Sequence, residues 1–304
     1  MYQIIKSKSL TWIDIKNPDE NDLDWVKKSF KLHPLVLDEL LPKLDYPRIE
    51  NFGDYLFIVL FYPFFDKNTK TTTPLELDIV VSKDYIITSH YKNIVPLKAV
   101  FDKCNLYEEY REDYTSDGSG ELVYRIIRQI LSACFPKLTN MKRSIDEIEE
   151  AVYEKRNNKA VGMISLVQRD IIGFQRIIEP QELVLENLSK EAEHFFDKKL
   201  LPYFNSLNNL YKRVASVLNS RVKTLKALDS TNEALLTTRT NEIIKLLTIF
   251  SVIVFPLNLF AAIFGMNTRM PLVNHPYGFW VITGMMGIGV FLMLLFFRHK
   301  KWTR

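Results

Sequence analysis

Leu246–Met266 reads LLTIFSVIVFPLNLFAAIFGM, 21 residues without a charge. As a helix, that stretch is long enough to cross a hydrocarbon core ~30 Å thick. A second run, Phe279–Phe297 (FWVITGMMGIGVFLMLLFF), holds 19 uncharged residues. The segment between them is rich in turn formers: Pro271, Asn274, Pro276 and Gly278. Two spans (246–266 and 279–297) joined by a short loop (265–278) predict a transmembrane helical hairpin. A hairpin buried in a soluble core is the competing reading. Two uncharged runs of near-membrane length weigh against it.

The flanks orient the hairpin. RHKKWTR follows Phe297, and positively charged flanks stay on the cytoplasmic side. Both termini, and with them residues 1–240, are therefore expected in the cytoplasm, with the chain held in the cell (inner) membrane. Trp280 and Trp302 suit the two lipid–water interfaces.

Charge is distributed to match. The chain has 304 residues and a formal charge of +4, but its last acidic residue is Glu242. The 62 residues beyond it carry six Lys or Arg, which leaves 34 basic and 36 acidic residues before them, a net −2. The mild overall basicity is thus no nucleic-acid footprint, which would need a basic cluster within the folded body. At 47% hydrophobic and 25% charged, the composition excludes a mostly disordered chain and a polytopic membrane protein.

Cys104 and Cys134 are too few for a disulfide framework and read as reduced structural thiols. The start, MYQIIKSKSLTWIDIKNPDE, lacks the apolar run of a signal peptide. CxxC, HExxH, GxxxxGK[ST] and GxSxG motifs are absent from the sequence, and the five histidines are scattered. Nothing here points to an enzyme.

The first span is not uniformly apolar. Thr248, Ser251 and Asn258 fall within a sector of ~80° at 100° per residue, and Asn241 lies ~20° from Thr248. Polar groups are costly against lipid, so this stripe must face protein or water. Two arrangements satisfy that: hydrogen-bonded contact between spans, or the lining of a pore made by several copies. Pro256 lies inside the span and removes a backbone donor.

Residues 1–118 read as a mixed α/β domain. YLFIVLFY (Tyr55–Tyr62) is a strand, LDIVV and YIIT form a hairpin around Ser82-Lys83-Asp84, and Thr11–Ile15 is another strand. DENDLDWVKKSF and PLVLDELL are helical. Residues 119–201 read as a pair of long acidic helices turning near Lys155–Lys159. The acidic run Asp146–Glu150 is a solvated face or a contact for cations or a basic ring. Residues 202–245 form a stalk helix, with Leu207, Leu210, Val214, Val217, Val222, Leu225 and Leu228 at packing spacings, running on into the 246–304 hairpin and tail.

Gly265-Met266-Asn267, directly after the first of two carboxy-terminal spans, resembles the signature of the CorA-type magnesium channels. TNEIIKLLTIF with FPLNLFAAIFGMN, YPRIENFGDYLFIVLF, WIDIKNPDENDLDWVKKSFKLHPLVLDELL and LDIVVSKDYIITSHY resemble further segments of that family. The resemblance implies a homopentamer with a cytoplasmic α/β domain and a stalk helix that continues into the pore. It implies pore-facing Asn241, Ile244, Leu247, Thr248, Ser251, Phe255, Asn258 and Ala262, with Leu247 and Phe255 as apolar constrictions. Asn267 would form an amide ring that meets Mg²⁺ through its hydration waters, and Arg298, His299, Lys300 and Lys301 would form a basic collar at the cytoplasmic neck. The implied cargo is Mg²⁺, with Co²⁺ and Ni²⁺ as further ions. Mg²⁺ dehydrates reluctantly, which suits an outer-sphere filter.

Two departures stand out. Met270-Pro271 is followed by Leu272 where many relatives carry Glu, and Arg269 lies two positions from Asn267. In YFNSLNNL, Ser206 replaces an aspartate that relatives use for closure by regulatory Mg²⁺; Asp197 remains. The alternatives are a ZntB-like Zn²⁺ transporter on the same fold, towards which Leu272 and His275 lean while Met270-Pro271 and the intact Gly265-Met266-Asn267 lean back, and a membrane-anchored scaffold that transports nothing.

Overall fold

The computed structural model describes residues 2–8, 10–41, 46–154, 157–266, 276–300 and 302. The chain divides into two compact units, Met1–Asp229 and Ser230–Arg304.

The first unit opens with strands β1 (Tyr2–Lys6) and β2 (Thr11–Lys16) and helices α1 (Glu20–Ser29) and α2 (Pro34–Glu39). Strands β3 (Arg48–Asn51), β4 (Tyr55–Asp66), β5 (Thr71–Ser82) and β6 (Tyr85–His90) follow. Together they form a six-stranded sheet in the order β1-β2-β6-β5-β4-β3. All neighbours are antiparallel except β2 and β6, which run parallel. β4 is longer than the expected Tyr55–Tyr62, because its pairing with β5 continues to Asp66↔Thr71.

The helix starts are set by local chemistry. Asp19 caps α1 and, with Asp22, closes a capping box. The His33 ring caps α2 by accepting from Leu35 N, ahead of Pro34 in the first turn. One sheet face buries Ile13, Ile15, Phe57, Val59, Phe61, Val80 and Ile87 against Val26, Val36, Leu37 and Leu40 of α1, α2 and the residue after them. At roughly 1.5–3 kcal/mol per fully buried large side chain, the hydrophobic effect makes this layer strongly stabilising. Both cysteines are free and buried, as expected of structural thiols, and burial pushes the Cys134 thiol up to about 12.

Next come α3 (Val95–Leu106), α4 (Glu108–Thr115), α5 (Ser119–Ser132), α6 (Cys134–Tyr153), α7 (Asn157–Ile178) and α8 (Gln181–Phe195). The stretch 119–201 was expected to be a pair of helices; each is broken once, giving four. Pro136 has no N–H to offer the Ser132 carbonyl, and α5 ends at Ser132. Pro180 sits at the N-cap of α8 and separates it from α7. α7 lies on β4 and β5. Gly173 makes that approach feasible: a Cβ there would stand 2.6 Å from the Thr72 carbonyl oxygen.

A 3-10 turn at Lys198–Leu200 leads into α9 (Leu201–Phe264), and α10 (Gly278–His299) closes the chain. Within the first unit α9 buries Phe204, Leu207, Tyr211, Val214, Leu218, Leu225 and Leu228. This is a stripe of three-and-four spacings. Leu210, Val217 and Val222, expected in the stripe, are half-buried at its edge.

Candidate ion-conduction face

In the second unit, α9 and α10 each contain a window apolar enough to cross a membrane, and neither window is buried within the chain. A soluble core would bury them. Leu247 and Phe255 remain 63% and 74% exposed, and Trp280 71%. Water would penalise this much apolar surface, whereas lipid or further copies would not. Two apolar helical windows without charge, neither of them buried within the chain, fit a bilayer.

α9 stays helical through Pro256 to Phe264. Because the helix is unbroken, the angular argument holds over its full length. Asn241, Ile244, Leu247, Thr248, Ser251, Phe255, Asn258 and Ala262 occupy one sector of ~120° at 100° per residue. Thr248 Oγ1 donates to the Ile244 carbonyl at 2.8 Å. Its proton is thereby satisfied inside the helix, and its oxygen keeps lone pairs to accept. Among the described residues, the side chains of Asn241, Ser251 and Asn258 have no hydrogen bond within the chain. The Asn258 amide therefore makes no hydrogen bond to the backbone freed by Pro256.

The helix ends where the signature begins. Gly265 N donates to the Ala261 carbonyl at 2.9 Å, and Met266 N to Ile263 O at 3.3 Å. A Cβ at Gly265 would stand 2.9 Å from that Ala261 oxygen, so a larger residue would have to displace backbone. Asn267, Arg269, Met270, Pro271, Leu272 and His275 lie outside the described residues.

At the start of α10, Tyr277, Phe279 and Trp280 are all exposed, with the Phe279 and Trp280 rings edge-on at 5.5 Å. The YGFW run therefore forms an aromatic cluster larger than the single Trp280 expected. At the other end Trp302 stacks on Phe297 at 5.8 Å. Arg298 and His299 occupy the last turn of α10, where positive charge complements the helix dipole. Lys300 is exposed; Lys301 lies outside the described residues.

The expected regulatory residues are engaged locally. Asp197 Oδ1 accepts from Lys199 N at 3.1 Å, and Ser206 Oγ donates to the Tyr203 carbonyl at 2.6 Å. Among the described residues no group of three or more His, Cys, Asp or Glu side chains is placed to hold a metal ion. His90 sits between Lys92 O at 2.7 Å and Asp14 Oδ2 at 3.3 Å.

The fold and this face define a class: a two-span helical membrane protein whose spans follow a large mixed α/β unit. The family described as CorA-like Mg2+ transporter protein matches residues 7–300, and the chain belongs to that family of divalent-cation transporters, not enzymes. It is 27% identical to the cobalt/magnesium transport protein CorA of Thermotoga maritima, over 97% of this chain and 84% of that protein. Its fold is similar to the complete structure of the CorA magnesium transporter from Methanocaldococcus jannaschii, with a TM-score of 0.85 at 21% identity, covering 98% and 93% of the two chains. The ZntB cytoplasmic domain from Vibrio parahaemolyticus shares the fold at a TM-score of 0.62 and 12% identity, covering 76% of this chain and 90% of that one.

Proposed function

We propose that the protein is a passive Mg²⁺ channel in the cell (inner) membrane, built from five copies whose α9 helices line a central path. The observation that carries this reading is the single face holding Asn241, Ser251 and Asn258, whose polar groups lack partners within the chain. Facing lipid they would be costly; facing a water-filled axis they are solvated. Leu247 and Phe255 on the same face form apolar constrictions. Asn267 rings the outer mouth and accepts hydrogen bonds from the hydration shell without stripping it. Neutral amides and hydroxyls bind weakly enough to release the ion, as conduction requires. The membrane potential drives uptake by about 2.3 kcal/mol per charge per 100 mV, doubled for a divalent ion.

In this reading both termini are cytoplasmic, α10 packs outside α9, and Arg298, His299, Lys300 and Lys301 collar the inner neck. Co²⁺ follows the same path, as the name of the Thermotoga relative supports. Mg²⁺ also acts as the closing ligand on the cytoplasmic unit, through residues other than Ser206.

A second reading is a ZntB-like Zn²⁺ transporter, supported by Leu272 in place of a loop carboxylate and by the shared soluble fold. Uptake into liposomes separates the two. Mg²⁺ uptake that is lost in Asn267→Ala and indifferent to a pH gradient supports the channel. Zn²⁺ uptake that tracks the pH gradient supports the second reading, and uptake of neither ion overturns both.

A further inference from the structure

α6, α7 and the β4–β5 hairpin enclose a cavity of about 410 Å³ in the first unit. That volume lies within the range of small-molecule sites. Met141, Met163 and Val167 give it an apolar wall, and Lys137, Ser144 and Asp170 give it a polar one. Nothing in the ion path uses it.

The polar wall is unbalanced. Lys137 Nζ is shielded from water and has no hydrogen-bond acceptor. Its nearest compensation is the Tyr62 ring, 4.1 Å from centroid to nitrogen, with Phe64 at 5.9 Å. Cation–π contact offsets only part of the cost of taking an ammonium out of water. Asp170 does not complete the pair: its Oδ1 accepts from Thr72 Oγ1 at 2.6 Å, and no ion pair within 4.0 Å joins it to Lys137. Burial raises the Asp170 carboxyl, against the hydrogen bonds from Thr72 and the charge of Lys137. Burial also pushes Lys137 down to about 8, so the amine still carries its proton at neutral pH.

We propose that this cavity binds a small monocarboxylate with a short apolar tail, its carboxylate paired with the Lys137 ammonium and its tail against Met141, Met163 and Val167. A cationic ligand would meet Lys137, and a neutral one would leave the ammonium uncompensated. Lys70, Glu147 and Asp170 also line the cavity, and with Lys137 paired to the first carboxylate the two acidic side chains offset Lys70 and leave no free cation for a dianion's second charge. Rotation about the terminal bonds of the lysine turns its N–H groups from the Tyr62 ring towards the bound oxygen atoms. The proposal is independent of which ion the protein carries.

Equilibrium dialysis of radiolabelled hexanoate against the full-length protein in nanodiscs, with empty nanodiscs subtracted, tests it. The expected result is one saturable site per chain that hexanol does not compete for. Lys137→Met should weaken it by about tenfold or more, and Val167→Trp, which fills the cavity and keeps the lysine, should abolish it. In the wild type, affinity should fall as pH rises through about 8, where Lys137 loses its proton. This last measurement needs no variant to fold. No saturable binding at millimolar hexanoate, binding that survives Lys137→Met, or affinity that stays flat through that pH region overturns the proposal.

Discussion

The side-chain amide of Gln181 stands in for a missing strand beside Phe61. Its Nε2 donates to the Phe61 carbonyl at 2.8 Å, and Phe61 N donates to its Oε1 at 3.3 Å. The pairing of β3 with β4 stops at Arg48↔Val59, so this edge of β4 would otherwise be unpaired and buried. Gln181→Leu keeps the volume and orphans both backbone groups. A loss of ~1–3 kcal/mol is expected. Denaturant unfolding followed by the fluorescence of Trp12 and Trp25 measures it; an unchanged midpoint would mean that water replaces the amide.

Gly173→Ala places a methyl group where the Thr72 carbonyl oxygen now sits 2.6 Å away. Backbone yields less readily than a flexible side chain, so α7 must lift from β5. Overpacking of this kind costs about 1–3 kcal/mol. The same unfolding measurement should show a lower midpoint with the slope preserved.

The buried ammonium of Lys137 makes stability depend on pH with a definite sign. Its folded value, pushed down to about 8, lies below the ordinary 10.5. Between those values the unfolded chain binds the extra proton, so stability rises with pH across that window. Below it the cost of the buried charge is fully present. Lys137→Met should therefore be more stable than the wild type at pH 7, and the difference should shrink as pH climbs through 8 towards 10.5. A constant difference across that window would place the ammonium in water.

Arg269 stands two positions from Asn267 in a loop without Asp or Glu. In a pentamer it would set five positive charges near the outer mouth and slow cation access when salt is low. Arg269→Glu is expected to raise Mg²⁺ flux at low ionic strength and to matter little at high salt. Equal flux at low ionic strength would show that the side chain points away from the path.

Leu247→Ala and Phe255→Ala should each raise flux, by enlarging the proposed apolar constriction, which water would wet reluctantly. If either lowers flux without loss of protein from the membrane, its side chain packs between helices and does not face the axis.

The two apolar spans were legible in the sequence because charge exclusion over Leu246–Met266 and Phe279–Phe297 is a signal that no soluble context disturbs. The β5–β6 hairpin was legible for a similar reason, since Ser82-Lys83-Asp84 interrupts two dense β-branched runs. The breaks at Pro136 and Pro180 were less so, because a proline in the first turn of a helix and one inside it look alike in one dimension. The stalk stripe was misread at Tyr211 and Leu218, where the aliphatic Leu210 and Val217 one position away competed for the same face, and it left out Phe204. Lys137 left no trace at all. On an amphipathic helix it reads as a solvated cation, and only the fold brings Tyr62 and Phe64 from a distant strand to cover it.

The back-bonded hydroxyl of Thr248 has a bearing on selectivity that concerns protons more than metals. Proton hopping along a file of water needs each link to accept a proton on one side and release one on the other. A hydroxyl whose hydrogen is committed to the Ile244 carbonyl can accept but not release. Five such oxygens around the proposed axis would orient water by its hydrogens and hold the file in one polarity. A hydrated metal ion, which carries its waters with their hydrogens outward, meets that ring in the orientation it prefers, whereas a hopping proton meets a break in the wire.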